Sequence, residues 1–295
     1  MSGAAAPGHD RRAPDVLLVL GAIGSIQISA AVATHMFDRV GAAGATFVRT
    51  AIAAAILLAL VRPRWRALDA AGRRAVVPYG IALGVMNMAF YLGVDRVDLG
   101  VAVAIEFLGP LTVGAVMARR ARDRAWVVVA ALGVLALTEP WSADAADPIG
   151  VAWLLLAALC WGLYIPLGAR AAAQLPGLEP VAIAMVMAAL VALVPGVIEG
   201  GGDLGQGYVL AIGALTAITG SVVPYSLEQL ALRRIPPGIF GVLMALEPAV
   251  ALLAGLAVLG QQPHVVGLLG IVLVVAAGVG VTRAASPATA ATPVP

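Results

Sequence analysis

Ten apolar runs follow one another along the chain, over residues 15–37, 41–61, 75–94, 98–118, 125–139, 148–172, 178–198, 207–232, 237–259 and 263–281, each bounded by charge, glycine or proline. A bilayer-spanning helix needs about 20 apolar residues, so all but the short fifth run can cross a membrane. The chain has 295 residues, 61% hydrophobic and 12% charged, with a mean hydropathy of +0.99, whereas a soluble domain is roughly half apolar and a quarter charged. This excludes a soluble globular enzyme and predicts an all-α polytopic membrane protein, its outer surface solvated by the lipid bilayer. The ends, 1–14 and 284–295, are rich in Ala, Pro, Ser, Thr and Gly and read as disordered tails. A cleaved leader ending at Ala31-Val32-Ala33 is the alternative for the first run. The run continues to Met36, however, and is kept as a permanent span.

Arginine placement orients the spans. There is no lysine, and with the N-terminus inside, fifteen of the eighteen basic residues fall on one side. Only Arg39 and Arg96 fall on the other, and Arg49 lies within a span. Enrichment of short cytoplasmic loops in arginine is the positive-inside rule, so ten transmembrane helices with both termini cytoplasmic are expected. At an offset of 138, Arg96, Gly100, Leu108 and Pro110 fall on Arg234, Gly238, Leu246 and Pro248. Each five-span copy crosses an odd number of times, so the second must be inverted relative to the first, a hallmark of secondary transporters with a central site. The expected domains are a first five-helix repeat over 15–140 and a second over 148–283. Small residues four apart, as in Gly80 and Gly84, Ala51, Ala55 and Ala59, or Ala251 and Gly255, would let helix backbones approach closely.

Several function classes have no residues to support them. A net charge of +2 without a basic face argues against a nucleic-acid partner. Gly200-x-Gly202-x-x-Gly205 matches a dinucleotide pattern but has no preceding strand, so no cofactor is expected. His9, His35 and His264 lack metal-ligand spacing, and the lone Cys160 sits in an apolar run, which rules out an internal disulfide. A lipid-modifying enzyme would need a nucleophile with a base, or a metal cluster, and neither is present. A channel or membrane scaffold remains as a reading from another class.

The informative residues are ionisable ones within spans, because a charge at the helix centre costs about 2.5–3.5 kcal/mol and must face a partner or a wet cavity. These are Arg49, Glu106, Glu228 and Glu247. At about 1.5 Å per residue, Glu106 and Glu247 both fall near the midplane, Arg49 is roughly 12 Å in from the outer face, and Glu228 lies about one turn from the cytoplasmic end. Glu228, just before Arg233 and Arg234, reads as an ion-pair member at the mouth. Pro110 cannot donate to the carbonyl of Glu106, nor Pro248 to that of Met244. Pro166 and Pro224 do the same to Gly162 and Gly220. All four are candidate helix breaks or simple kinks. Gln27 and Asn87 are interhelical glue or cavity lining, and Tyr91 and Tyr225, like Trp161 and Tyr164, are interfacial or cavity aromatics.

Four segments carry a resemblance. Leu83-Gly84-x-Met86-Asn87-x-x-Phe90-Tyr91-Leu92, Ala104-x-Glu106-Phe107-x-Gly109-Pro110-Leu111, Pro224-Tyr225-Ser226-Leu227-Glu228 and Gly241-x-Leu243-Met244-x-Leu246-Glu247-Pro248-Ala249 resemble, in this order, the EamA-type branch of the drug/metabolite transporter superfamily. The similarity covers nearly the whole chain between the tails. It implies a ten-helix fold of two inverted repeats in the bacterial cytoplasmic membrane and efflux of small amino acids of the threonine and homoserine type, driven by proton exchange. Another metabolite or a drug is the alternative cargo. Superfamily members often carry a Gly-Glu pair after the ninth span, where this chain has Gly260-Gln261, so any role of that carboxylate is absent. A zwitterionic substrate needs opposite charges at fixed separation. Glu106 and Glu247 are candidates for its ammonium group, with one of them exchanging a proton as its surroundings alternate between wet and dry. Arg49 either faces the substrate carboxylate or neutralises Glu106. A homodimer is left open as the assembly.

Overall fold

The computed structural model describes residues 12–64, 68–117, 125–139, 146–232 and 243–285. The tails beyond them, Arg66, the arginines at 119, 120, 122 and 124, and residues 233–242, which include Arg233, Arg234, Gly238 and the start of the ninth run, lie outside the described residues.

The described residues form helices and no strands. In chain order these are α1 (Arg12–Ala33), α2 (Phe37–Val61), α3 (Ala70–Val94), α4 (Leu99–Glu106), α5 (Leu108–Met117), α6 (Ala125–Thr138), α7 (Pro148–Gln174), α8 (Glu179–Gly200), α9 (Gly207–Ala217), α10 (Val223–Leu232), α11 (Glu247–Ala254) and α12 (Val265–Ala285). Spans four and eight are thus each built from two helices. Short π segments, Ile218–Val222 and Gly255–Leu259, follow α9 and α11. Five stretches are long and apolar enough to cross a membrane, and four shorter apolar helices accompany them. Large apolar side chains such as Val116 (74% exposed), Ile198 (78%) and Val272 (63%) point outward, as they must where lipid is the solvent.

Two boundaries differ from the sequence expectation. Residues 12–14 belong to α1 rather than to a tail, because Pro14 in a first helical turn has no hydrogen bond to lose. Helix α3 starts at Ala70 instead of residue 75, since the Asp69 carboxylate accepts from the Gly72 amide at 2.7 Å and starts the helix early.

Leu17–Val61 is one apolar stretch of 45 residues, about twice a bilayer at 1.5 Å per residue. It is broken at Gly41, whose φ of 67° and ψ of 175° are non-helical. The Glu199 carboxylate, from the end of α8, fills the space a side chain at Gly41 would need and accepts from the freed Ala43 amide at 2.7 Å.

Helix partners follow a pattern. Numbering the apolar runs as spans, α2 packs on α8, α4 on α11 and α6 on α12, joining two with seven, four with nine and five with ten. Contacts of α3 with α7 are matched by α1 with α10, those of α3 with α8 by α2 with α9, and those of α5 with α7 by α1 with α11. Exchanging every span for the one five places away maps these pairs onto one another, whereas the contacts of α2 with α3, α3 with α4 and α5 with α12 have no comparable counterpart among the described residues.

Close contacts fall at small residues. A Cβ on Gly84 would lie 2.9 Å from the Ala188 Cα, and one on Gly133 would lie 2.8 Å from the Gly270 carbonyl oxygen. Ala251 and Gly255 are buried, whereas Ala51 is half-buried and Ala55 and Ala59 are exposed, so most of that alanine row points outward. Loop contacts respect the arginine sorting. Arg64 pairs with Glu179 at 3.2 Å, Arg96 with Asp147 at 3.3 Å, and Arg39 donates to Gln206 at 3.0 Å. Each joins two loops that the sorting puts on one side.

Gly41→Ala is expected to lower the melting temperature of the purified protein by several degrees in a thermal scan, because it combines a positive φ and extended ψ, at about 1–3 kcal/mol for the backbone alone, with a 2.0 Å encounter with Glu199. Gly21→Ala, which meets nothing within 4 Å, should be neutral in the same scan. A second pair separates two facing glycines. A Cβ on Gly109 would lie 2.0 Å from the Ala158 carbonyl oxygen, whereas one on Gly162 meets only ordinary contacts from 3.4 Å. Gly109→Ala should therefore cost about 1–3 kcal/mol and reduce membrane abundance on immunoblots, with Gly162→Ala unaffected.

Candidate functional site

The two midplane carboxylates sit where the backbone is interrupted. The Pro110 ring cannot coexist with an undistorted Glu106 carbonyl one turn earlier, and the hydrogen-bond ladder is interrupted there: α4 ends at Glu106 and α5 begins at Leu108, while Phe107 keeps helical dihedrals and its carbonyl accepts from the Leu111 amide at a lengthened 3.3 Å. In span nine the backbone turns at Ala245 and Leu246, the Leu246 amide bonds the Leu243 carbonyl at 2.9 Å, and α11 opens with Glu247 and Pro248. The other prolines behave differently. Pro224 follows the π segment Ile218–Val222, while Pro166 lies inside α7, which continues through it, as α3 and α8 continue through Pro78 and Pro195.

Helices α4 and α11 run side by side in opposite directions. Leu99 lies against Gly255 and Gly100 against Leu252, while Phe107 and Ala245 both flank Gly278. This register puts Glu106 level with Glu247. Both are buried, at 9% and 3% exposed. Glu106 has no hydrogen-bond or ion-pair partner among the described residues. Its carboxyl interacts electrostatically with Arg49 on α2 and with Cys160 on α7. Trp161, beside Cys160, meets Phe107 edge-on at 6.0 Å between ring centres and supports the break. Glu247 stands in the first turn of α11, where unpaired amides favour negative charge. Gln27, 2% exposed, shares a face of α1 with Ile23, Ala30 and Ala31, which pack on spans four and nine. Its Oε1 is buried without a partner.

A second group surrounds Arg49, which is 6% exposed. The guanidinium donates to the Asn87 Oδ1 and, at 3.5 Å, to the Gly220 carbonyl, and it lies over the Tyr91 ring 4.6 Å from the ring centre. Asn87 is held by its own donation to the Leu83 carbonyl at 2.8 Å. No carboxylate comes within ion-pairing distance of Arg49 among the described residues, so Arg49 and Glu106 interact through space without touching. Tyr225 belongs elsewhere, packed against the cluster that holds Tyr79 and Leu83, and the stacked Tyr79 and Tyr164 bond through their hydroxyls at 2.9 Å. Glu228 lies on α10, with its side chain outside the described residues.

Sequence reasoning passed over the hydroxyls of spans one and eight. Ser25 donates to the Thr219 carbonyl, Ser29 donates to that of Thr216 at 3.1 Å, and the buried Ser221 Oγ has no partner. Their signal was present as seven Ser and Thr residues in two largely apolar runs. Gln261 was passed over as a lost carboxylate, yet its Oε1 accepts from the Leu99 amide at 3.1 Å and caps α4.

A cavity of about 270 Å³ opens at the other end of α4, lined by Arg96, Asp98, Glu139, Asp147, Gln261 and His264 among others. These residues fall on the side opposite the arginine-rich loops. The Asp147 carboxyl is held below its ordinary range by the Gly150 amide first, then by the Ile149 amide and Arg96. The buried charges are not among its lining.

Comparison with known proteins agrees with this construction. Residues 148–283 match the model of the EamA-like transporter family. The threonine/homoserine exporter RhtA of Salmonella typhimurium (strain SL1344) is 39% identical over 282 residues, covering 94% of this chain and 95% of the relative. The protein of the same name from Escherichia coli (strain K12) is 40% identical with the same coverage. The fold is shared with a protein of known crystal structure at a TM-score of 0.63 and 17% identity, over 91% of this chain and 96% of that one. The chain therefore belongs to the EamA-like transporter family, as a multi-pass transporter of the bacterial inner membrane and not an enzyme.

Proposed function

We propose that this chain is a secondary carrier that exports small amino acids, threonine and homoserine among them, in exchange for protons. In this reading ten spans form two five-helix repeats of opposite orientation, both termini are cytoplasmic, and the central site opens to each side in turn. The helix pairs that map onto one another on exchanging halves and the antiparallel α4 and α11 support the repeat. The identity to the two RhtA proteins supports the cargo.

One observation carries the chemistry: Glu106, buried and without a partner among the described residues, stands level with Glu247 at two interruptions of the helical ladder. A carboxylate held in a dry bundle costs several kcal/mol unless a cation or a proton joins it. Either the substrate ammonium or a proton meets that need, and competition between them for the same carboxyl is the simplest route to exchange. Glu247, eased by its helix terminus, serves as the fixed anion, and Glu106 as the group that changes partner. Gln27 lies on the α1 face toward the same spans and offers its Oε1 as a further acceptor for the ammonium group. The outer cavity beyond α4 is the release vestibule.

Counterflow in proteoliposomes with a panel of labelled amino acids should show saturable exchange, accelerated when the side that receives substrate is made acidic. Glu106→Gln and Glu247→Gln should each reduce exchange by about ten- to a hundredfold, the loss of one charge-assisted contact, with membrane abundance near normal. Wild-type rates in either variant would remove that residue from the mechanism.

A further inference from the structure

Arg49 is a cation buried among neutral partners. The groups that touch it are an amide oxygen, a backbone carbonyl and an aromatic face. Burying a guanidinium on such contacts alone is costly: an arginine inside a bundle pairs with a carboxylate or with backbone carbonyls, and of these a single backbone carbonyl at 3.5 Å is all it finds among the described residues. Around it, three further polar atoms are out of balance. Arg49 Nε, the Tyr91 hydroxyl and Ser221 Oγ are all buried and all without a hydrogen-bond partner among the described residues. A native interior leaves few such atoms unpaired, and three on adjoining elements call for an explanation.

Their positions are linked. The Arg49 side chain covers the Tyr91 ring and reaches the Gly220 carbonyl, which forms the peptide joining Gly220 to Ser221. The three groups come from α2, α3 and the π segment Ile218–Val222, which belong to spans two, three and eight. A π turn inside a helix frequently marks a functional site. Here Ser25 and Ser29 hold it by bonding the Thr219 and Thr216 carbonyls, and Gly220 leaves no room for a side chain, since its Cβ would lie 2.3 Å from Ser29 Oγ. Each of the three orphans can supply a hydrogen. The missing partner is therefore an acceptor with negative charge and more than one lone pair, and a carboxylate fits the arginine fork.

We propose that Arg49, Tyr91 and Ser221 form the subsite for the carboxylate group of the exported amino acid. The assignment rests on the carrier reading above and completes it. The ammonium group lies toward Glu106, the carboxylate toward Arg49, and the through-space attraction between those two side chains is the field along which a zwitterion aligns.

Two conservative variants test the assignment, Tyr91→Phe and Ser221→Ala. Each deletes a buried hydroxyl that has no partner in the empty protein, so the melting temperature without substrate should stay level or rise. Each should also raise the threonine concentration needed for half-maximal thermal stabilisation, and for half-maximal counterflow, by about tenfold or more, as expected for a hydrogen bond to a charged group. Threoninol, which keeps the ammonium and lacks the carboxylate, should bind wild-type protein weakly and the two variants equally weakly. Unchanged threonine concentrations in both variants, or threoninol competing as well as threonine in the wild type, would overturn the subsite and leave the carrier standing. A fall in the melting temperature without substrate in both variants would give these hydroxyls a structural role and overturn it too. Absence of amino-acid exchange by the wild-type protein would instead remove the carrier reading and the subsite with it.

Discussion

Hydrocarbon offers a polar group nothing to bond, and every feature of this protein answers to that. Backbone amides and carbonyls are paired within helices because no other partner is at hand. Where the helices do stop inside the bundle, at Phe107 and at Ala245–Leu246, the interruption is enclosed by neighbours such as Trp161 and Gly278. The charged groups at depth obey the same rule. They lie inside the bundle on helices that face one another, while valine, leucine and isoleucine cover the outside.

That solvent also explains how much of the fold was legible in the sequence. The all-helical, multi-pass character came from hydropathy alone, and the contacts of Arg64 with Glu179, Arg96 with Asp147 and Arg39 with Gln206 each link segments that the arginine sorting puts on a common side. Backbone interruption was less legible. Pro110 and Pro248 border breaks while Pro78, Pro166 and Pro195 sit in continuous helices, and the local chemistry of a missing amide is identical in all five. What differs is the neighbour. At Gly109 the helix presses on the Ala158 carbonyl, a contact no local pattern encodes. The alanine row at 51, 55 and 59 misled for the same reason: spacing specifies a face and leaves open what the face meets.

The candidate site was legible as an inventory and illegible as an arrangement. Arg49, Asn87 and Tyr91 were each visible as polar residues in apolar runs, and the structure brings them into one contact group. Glu106 and Glu247 were both placed at mid-depth, but their common level depends on the crossing of two antiparallel helices whose register is set by glycines. Tyr225, equally conspicuous in the sequence, lies in a different cluster. Serine and threonine drew no attention because in a soluble protein they would mean little. In lipid, a hydroxyl that satisfies a distant carbonyl, as Ser29 does for Thr216, fixes one helix against another.

Spans eight and nine each hold a five-residue π segment, Ile218–Val222 and Gly255–Leu259. Such a segment is what an α-helix becomes when it absorbs one surplus residue without turning its two ends relative to each other. Span eight, whose helix resumes at Val223, is therefore one position longer than its seating requires, whereas Gly255–Leu259 closes its helix against Gly260. Loss of a single amino acid within Ile218–Val222 would leave the turns of α9 and α10 facing their present neighbours, whereas a deletion within either of those helices would turn one part of the span by about 100° against the other.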